Sequence, residues 1–429
     1  MTALLTLLPI AVAIEVKFCA DILTDFKDAV PDWTETPMWD DYLNDNAVAR
    51  PLRGVRWIAS GPGGYRSAYS ESSGPDAGCG ILDLDDNTWA VGMVTQGKIG
   101  TNYVETRVLP ATPNLYSYTW ELAYVPVAPY VENYLYTEVG TTAEPWNVFT
   151  NMGWAIHHRD GGMSGKTYTA WNAACPGGGG GCYDAANNAI YRGANQVQRY
   201  LVTHELGHLL FHMRTGGGSS NSALAVAGLC IGPDLLDAGH HFSEREWQSE
   251  GFHEGFADFY AALTFNRQNE SDCFVHWYKQ SDFDQDADLE TFTSNCNGPP
   301  ERDPFGNPMN ALDVLNPLVS GFDYLTDCAT DLGFGGALFN RSTEYDWMRG
   351  LWDLYRNGGL TLTKLLDVIS QGSPSTWIGT SDVDADPLVA PNLPAPTLDS
   401  AAGVIEALYG PAGLQSTWAA NAATNGIDR

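Results

Sequence analysis

Positive charge is scarce in this chain. Its 429 residues include 22 lysines and arginines against 52 aspartates and glutamates, which gives a formal net charge of −30. Such a surface repels polyanions, so neither nucleic acids nor anionic membranes are expected partners. No apolar run reaches the roughly 18 residues that a membrane-spanning helix needs, so we also expect no membrane insertion. These observations leave the oligomeric state open.

The cysteines form no C-x-x-C pair, which disfavours a cysteine-rich structural zinc site. Their number is even, 8, and together with 14 tryptophans and few lysines it is typical of an oxidised, exported protein. Buried free thiols are the alternative. The disulfides that we predict, the last by elimination only, are Cys175–Cys182, Cys273–Cys296, Cys19–Cys79 and Cys230–Cys328.

The first 13 residues are apolar and end in Ala11-Val12-Ala13, like the hydrophobic segment and cleavage site of a signal peptide. The basic residues that normally begin such a peptide are lacking. We therefore treat residues 1–13 as a candidate remnant of a signal peptide and expect a secreted, extracellular protein.

An H-E-x-x-H motif lies within Thr203–His208. On a helix, residues four apart share one face, so His204 and His208 can offer two imidazole nitrogens to one Zn²⁺. Glu205 lies beside them and can accept a proton from a zinc-activated water. Apolar residues at three- and four-residue spacing around the motif predict a buried helix. The alternative, a core helix whose histidines merely form hydrogen bonds, must explain costly polar groups in apolar surroundings.

A second amphipathic run, residues 252–263, carries two carboxylates on one helical face, those of Glu254 and Asp258. Glu254 is our candidate for the third protein ligand, which leaves a fourth position for water. Asp258 can accept a hydrogen bond from the far ring nitrogen of a ligand histidine and so fix its tautomer. The alternatives for the third ligand are His240, His241, His253 and Asp382.

H-E-x-x-H followed by a helical E-x-x-x-D resembles the gluzincins, the group of thermolysin-like, fungalysin-like and aminopeptidase metallopeptidases. The resemblance covers roughly residues 140–265. It implies that His204, His208 and Glu254 bind zinc, that Glu205 is the general base, and that Asp258 supports His204. The segment between His208 and Glu254 is longer than the loop of thermolysin-like enzymes, which leaves the exact family open.

The chain is long enough for two or three domains, and we predict an α+β protein. Residues 14–135 contain short strand-like segments separated by Gly, Pro, Asn and Asp, which is typical of a β-sandwich domain. Residues 136–429 are predicted to form a zincin-like metallopeptidase domain with a helical C-terminal part. The predicted strands begin near residues 54, 88, 103, 116, 166 and 189, and the predicted helices near 142, 345, 362 and 401.

The resemblance also implies an edge strand that pairs with the substrate backbone and a Tyr or His that stabilises the oxyanion. Our candidate edge is Trp171-Asn172-Ala173, and our candidate oxyanion donor is Tyr345. An interior strand and a plain core helix are the respective alternatives. Alternating carboxylates at residues 282–288 and 382–386 are candidate Ca²⁺ sites, with solvated acidic loops as the alternative.

The sequence therefore predicts a secreted zinc metallopeptidase that acts on a protein or peptide substrate. A secreted or surface binding protein with a vestigial zincin domain and a structural metal is the alternative from a different class. The intact Glu205 argues against it, because a structural metal site needs no general base. A zinc hydrolase acting on non-peptide amides is a third interpretation.

Overall fold

The computed structural model describes residues 13–24, 48–72, 74–85, 87–108, 119–126, 134–139, 144–175, 181–192, 199–215, 246–265, 341–342, 344–356 and 360–371. Its strands are β1 Ile14–Thr24, β2 Val48–Pro51, β3 Val55–Gly61, β4 Gly64–Tyr69, β5 Cys79–Leu84, β6 Thr88–Ile99, β7 Asn102–Arg107, β8 Thr119–Pro126, β9 Tyr134–Val139, β10 Thr167–Trp171, β11 Gly181–Asp184, β12 Ala189–Arg192, β13 Glu246–Trp247 and β14 Arg341–Ser342. Its helices are α1 Glu144–Arg159, α2 Arg199–Thr215, α3 Gln248–Phe265, α4 Glu344–Arg356 and α5 Leu362–Gln371.

The smaller of the two main sheets is built around β1. This strand pairs antiparallel with β5 along its first half and with β2 along its second half, while β9 pairs parallel with its other side. The Cys19–Cys79 disulfide joins β1 to β5 at directly opposed positions. Strand β1 is therefore an interior strand of this sheet, with neighbours along both of its edges.

The larger sheet has eight strands in the order β11-β12-β10-β7-β6-β3-β4, with β8 also paired to β6. Strand β10 runs parallel to both of its neighbours, β7 and β12, whereas β11 and β12 form an antiparallel hairpin. In that hairpin Asp184 accepts hydrogen bonds from the amide of Ala186 at 2.8 Å and the side chain of Asn187 at 2.6 Å. Asn188 completes the turn with φ of +48°, a conformation that Asn tolerates better than most residues. The turn places β11 at one end of the sheet.

Helix α1 packs on the larger sheet through bulky apolar side chains. A Cβ atom at Gly97 of β6 would lie 2.5 Å from Cζ of Phe149, so the absence of a side chain at Gly97 lets the Phe149 ring approach the strand. At the other end of α1, the Tyr260 hydroxyl donates to the carbonyl of Arg159 at 2.9 Å, and Arg159 Nε donates to the carbonyl of Leu263 at 3.2 Å. Helix α1 therefore connects the larger sheet to α3.

One hydrophobic core extends across the boundary that the sequence predicts at residue 135. That position falls inside β9, and the larger sheet contains strands from both sides of it. The core also includes side chains from both sheets and all five described helices. Because β10 pairs with β7, the strands preceding the motif helix are continued by strands of the predicted β-sandwich region.

The predicted disulfides Cys19–Cys79 and Cys175–Cys182 are confirmed. Several predictions fall outside the described residues: the cysteine pairs Cys273–Cys296 and Cys230–Cys328, the helix near residue 401, the acidic segments 282–288 and 382–386, and residues 1–12. Among the described helices, none has the length and apolar character needed to cross a membrane.

Candidate metal site

Helices α2 and α3 meet at an unusually close contact. A Cβ atom at Gly207 would lie 2.9 Å from Cα of Ala257 and 3.2 Å from Cβ of Tyr260. Real Cβ atoms essentially never approach another atom that closely, so only glycine allows the two helix axes this separation. Gly207 stands between the two histidines of the motif, and the close contact therefore brings them to the face of α3 that carries Glu254.

Three donor atoms converge at this contact. Nε2 of His204 lies 3.1 Å from Nε2 of His208, and Oε2 of Glu254 lies 3.1 Å and 3.0 Å from those two nitrogens. In a tetrahedral site with zinc bonds of about 2.0–2.1 Å, neighbouring ligand atoms lie about 3.3 Å apart. The triangle therefore fits a small divalent cation with a slight adjustment, and its two imidazoles and one carboxylate are ligands that zinc prefers.

Asp258 lies one helical turn beyond Glu254 and is completely buried. Its Oδ1 is 2.7 Å from Nδ1 of His204, on the opposite side of the ring from the donor triangle. This contact favours a proton on Nδ1, so Nε2 is the nitrogen that a cation in the triangle would bind. The structure thus places Asp258 where the sequence predicts a supporting carboxylate.

The electrostatics of the site favour positive charge. Burial alone lowers the pKa of His204, but the carboxylates of Asp258 and then Glu254 outweigh it and raise that pKa to about 10. Both carboxylates are less than one-tenth exposed, so water screens them little. The same two carboxylates would favour a divalent cation in the triangle, because such a cation neutralises buried negative charge.

Glu205 lies on α2 between the two histidines and retains only 8% of its exposure. A Cβ atom at Gly181, the first residue of β11, would lie 3.5 Å from its Oε1. The carboxylate of Glu205 therefore faces the end of the larger sheet, and it is shielded from bulk water there.

The candidate substrate edge at Trp171-Asn172-Ala173 is not an edge of this sheet. Trp171 pairs with Arg107 on one side and with Tyr191 on the other, and the amide of Asn172 donates to the carbonyl of Arg107 at 2.7 Å. Among the described strands, the terminal one on this side of the sheet is β11. Sequence reasoning missed it because β11 is only four residues long and directly follows a glycine run. The hairpin turn before β12 was the signal that could have revealed it.

Two further aromatic residues flank His208. The Tyr183 ring of β11 is stacked on it, with centroids 6.4 Å apart and planes at 24°, and the His253 ring lies 4.3 Å away on the other helix. His253 directly precedes Glu254 and is therefore rotated about 100° from it around the helix. Helix α3 is buried on every side from His253 to Thr264, so a residue on a neighbouring face still contacts α2.

Tyr345 lies in the first turn of α4, a helix that packs against α3. Its side chain is outside the described part of the chain, so its role as oxyanion donor stays a prediction.

No protein-family model, curated protein or solved structure matches this chain. The interpretation of the site therefore depends on its own residues and their geometry.

Proposed function

We propose that the chain is a gluzincin-like, zinc-dependent hydrolase that cleaves peptide bonds outside the cell. One observation carries the proposal: the donor atoms of His204, His208 and Glu254 lie 3.0–3.1 Å from one another, with Glu205 next to the first histidine. Two histidines, one carboxylate and an adjacent glutamate are the donor set and base that metal-assisted hydrolysis uses.

In this proposal His204, His208 and Glu254 hold zinc. Zinc bound there would polarise the scissile carbonyl and would make a bound water more acidic. Glu205 accepts the proton of the attacking water and delivers it to the leaving amine. The low exposure of Glu205 supports this role, since a shielded carboxylate is a better proton acceptor than a fully hydrated one.

A peptide substrate is favoured over a smaller amide by the position of β11. Within the described sheet β11 pairs on one side only, with β12, and its first residue lies against Glu205. An extended peptide can add to the free side of such a strand through backbone hydrogen bonds. That alignment would bring a backbone carbonyl close to the general base. Export of the protein is supported by the two disulfides, which persist in oxidising compartments.

The test compares wild type with Glu205→Gln for zinc content and for hydrolysis of casein and mixed peptides. We expect about one zinc per chain in both proteins and cleavage by wild type alone, because the amide keeps the shape of the side chain but cannot accept the proton. Glu15→Gln, an exposed position on β1, is the matched control and should retain full activity.

Each of the other possible results contradicts a different part of the proposal. Turnover by Glu205→Gln at the wild-type rate would remove Glu205 as the base. Zinc in both proteins without cleavage by either would favour a binding protein with a structural metal. Absence of zinc from wild type would overturn the proposal.

A further inference from the structure

The two histidines of the site are oriented by different means. Nδ1 of His204 is held by the Asp258 carboxylate at 2.7 Å. Nδ1 of His208 is buried, and no described residue forms a hydrogen bond with it. The ring of His208 instead has three other rings as neighbours, those of His253, His204 and Tyr183, at centroid distances of 4.3 Å, 4.7 Å and 6.4 Å. The orientation of His208 therefore depends on packing, and one of the three neighbouring rings, that of Tyr183, belongs to β11.

The two faces of β11 contact different parts of the protein. Gly181 and Tyr183 face α2, where Gly181 lies against Glu205 and the Tyr183 ring contacts His208 and, at 5.4 Å, His212. Because side chains alternate along a strand, Cys182 points the other way. There it packs against a second hydrophobic cluster, formed by Trp171, Cys175, Ala189 and Tyr191.

Few described interactions hold β11 in the larger sheet. Hydrogen bonds join it to β12 alone within the described sheet, and the turn stabilised by Asp184 holds its far end. Its near end, at Gly181, follows the glycine run of residues 177–180, and glycine has the highest conformational entropy to lose on ordering. The Cys175–Cys182 disulfide is the covalent link that fixes this end to the segment following β10.

We propose that the Cys175–Cys182 disulfide is a positioning device for the metal site. It fixes β11 so that Tyr183 orients His208 and Gly181 borders Glu205. This inference rests on the proposed function, because it assigns the disulfide to the same site. A misplacement of about 1 Å in a catalytic group can cost on the order of 100-fold in rate, so a modest shift of β11 would be measurable.

The experiment compares two double variants, Cys175→Ser/Cys182→Ser and Cys19→Ser/Cys79→Ser. The second removes the bridge that joins β1 to β5 in the smaller sheet, whereas the donor triangle lies on α2 and α3. The sequence separations are 7 and 60 residues, so loop entropy predicts that losing the Cys19–Cys79 bridge lowers the melting temperature more. Zinc release to a chelator, the visible spectrum of the Co²⁺-loaded protein, and kcat and KM are measured well below both melting temperatures.

We expect the two effects to separate. Cys175→Ser/Cys182→Ser should release zinc about tenfold faster or more, change the Co²⁺ spectrum and lower kcat/KM at least about tenfold. Cys19→Ser/Cys79→Ser should keep the wild-type spectrum, zinc release and kcat/KM despite its lower melting temperature. Equal site properties in both variants, or losses that simply follow the melting temperature, would overturn the inference.

A second pair of variants keeps the test decisive should Cys175→Ser/Cys182→Ser fail to fold. Tyr183→Ala removes the ring that packs on His208, and Tyr183→Phe retains it. We expect faster zinc release and an altered Co²⁺ spectrum for Tyr183→Ala, with wild-type behaviour restored in Tyr183→Phe. An unchanged spectrum in Tyr183→Ala would overturn the inference.

The outcomes also distinguish this inference from the function on which it rests. If the wild-type protein binds zinc and cleaves peptides and the variants behave like wild type, the positioning role is contradicted but the proposed function is not. A wild-type protein that binds neither zinc nor Co²⁺ removes both.

Discussion

Oδ1 of Asp258 lies 2.7 Å from Nδ1 of His204, and the Asp258 side chain is completely buried. Asp258 and Glu254 are one turn apart on α3, so the same helix supplies a candidate ligand and the carboxylate that orients another ligand. The distance between α2 and α3 therefore determines both the contact of Asp258 with His204 and the position of Glu254 beside the two histidines.

Asp258→Asn tests the orienting role of this carboxylate. The replacement keeps the size of the side chain but removes the charge that favours Nδ1 protonation and a cation at Nε2. We expect zinc affinity or kcat/KM to fall about 10–100-fold, as is typical when such a partner is lost. Competition titration with a zinc chelator measures the affinity. Asp83→Asn, at an exposed position of β5, is the control, and equal affinities for the two variants would contradict the prediction.

Glu254→Gln tests the third ligand. A neutral amide oxygen is a much weaker zinc ligand than a carboxylate, so we expect the affinity for zinc to fall more than about 100-fold. The remaining pair, His204 and His208, cannot complete a three-ligand site. Zinc content after dialysis, measured beside Glu15→Gln, checks this expectation. A variant that retains full zinc would place the third ligand elsewhere.

Gly207→Ala tests the close contact of α2 and α3. In most helices the change from glycine to alanine stabilises the protein by about 0.5–1 kcal/mol. At position 207 the new methyl group would lie 2.9 Å from Cα of Ala257, so we expect a loss of about 1–3 kcal/mol instead. Zinc affinity should fall as well, because the helices that carry the ligands must separate. A rise in the melting temperature would show that the contact is looser than described.

Tyr345→Phe tests the predicted oxyanion donor. If the Tyr345 hydroxyl stabilises the transition state, its removal should lower kcat about 100–1,000-fold while zinc content and KM stay near the wild-type values. Steady-state kinetics on a peptide substrate, together with zinc analysis, separates this effect from loss of metal. An unchanged kcat would assign the stabilising role to another residue.

The sequence predicted the parts of the site that depend on helical spacing. Four-residue spacing places His204 beside His208 and Glu254 beside Asp258, and the structure has helices over both runs. The disulfides Cys19–Cys79 and Cys175–Cys182 were also predicted. These features are local, or depend on pairing within a short list of cysteines.

The contacts of the larger sheet could not be predicted in the same way. Whether Trp171 lies at an edge depends on which strand pairs beside it, and pairing between strands distant in sequence leaves no periodic signal. The strand β11 was missed because it is only four residues long and directly follows a glycine run, and Tyr183 was missed with it. Gly207 was equally invisible, because its role comes from the approach of Ala257, a residue far away in the sequence.

The link from Gly97 through α1 to α3 has a consequence for any shortened version of the chain. Phe149 rests on β6, and the carbonyl of Arg159 accepts a hydrogen bond from Tyr260 on the helix that carries Glu254. A chain starting at residue 136 would leave β10 without its neighbour β7 and would expose the apolar face of α1 to water. We therefore expect any shorter chain that preserves the candidate metal site to include the N-terminal strands, because β7 supports β10 and β6 supports Phe149 of α1.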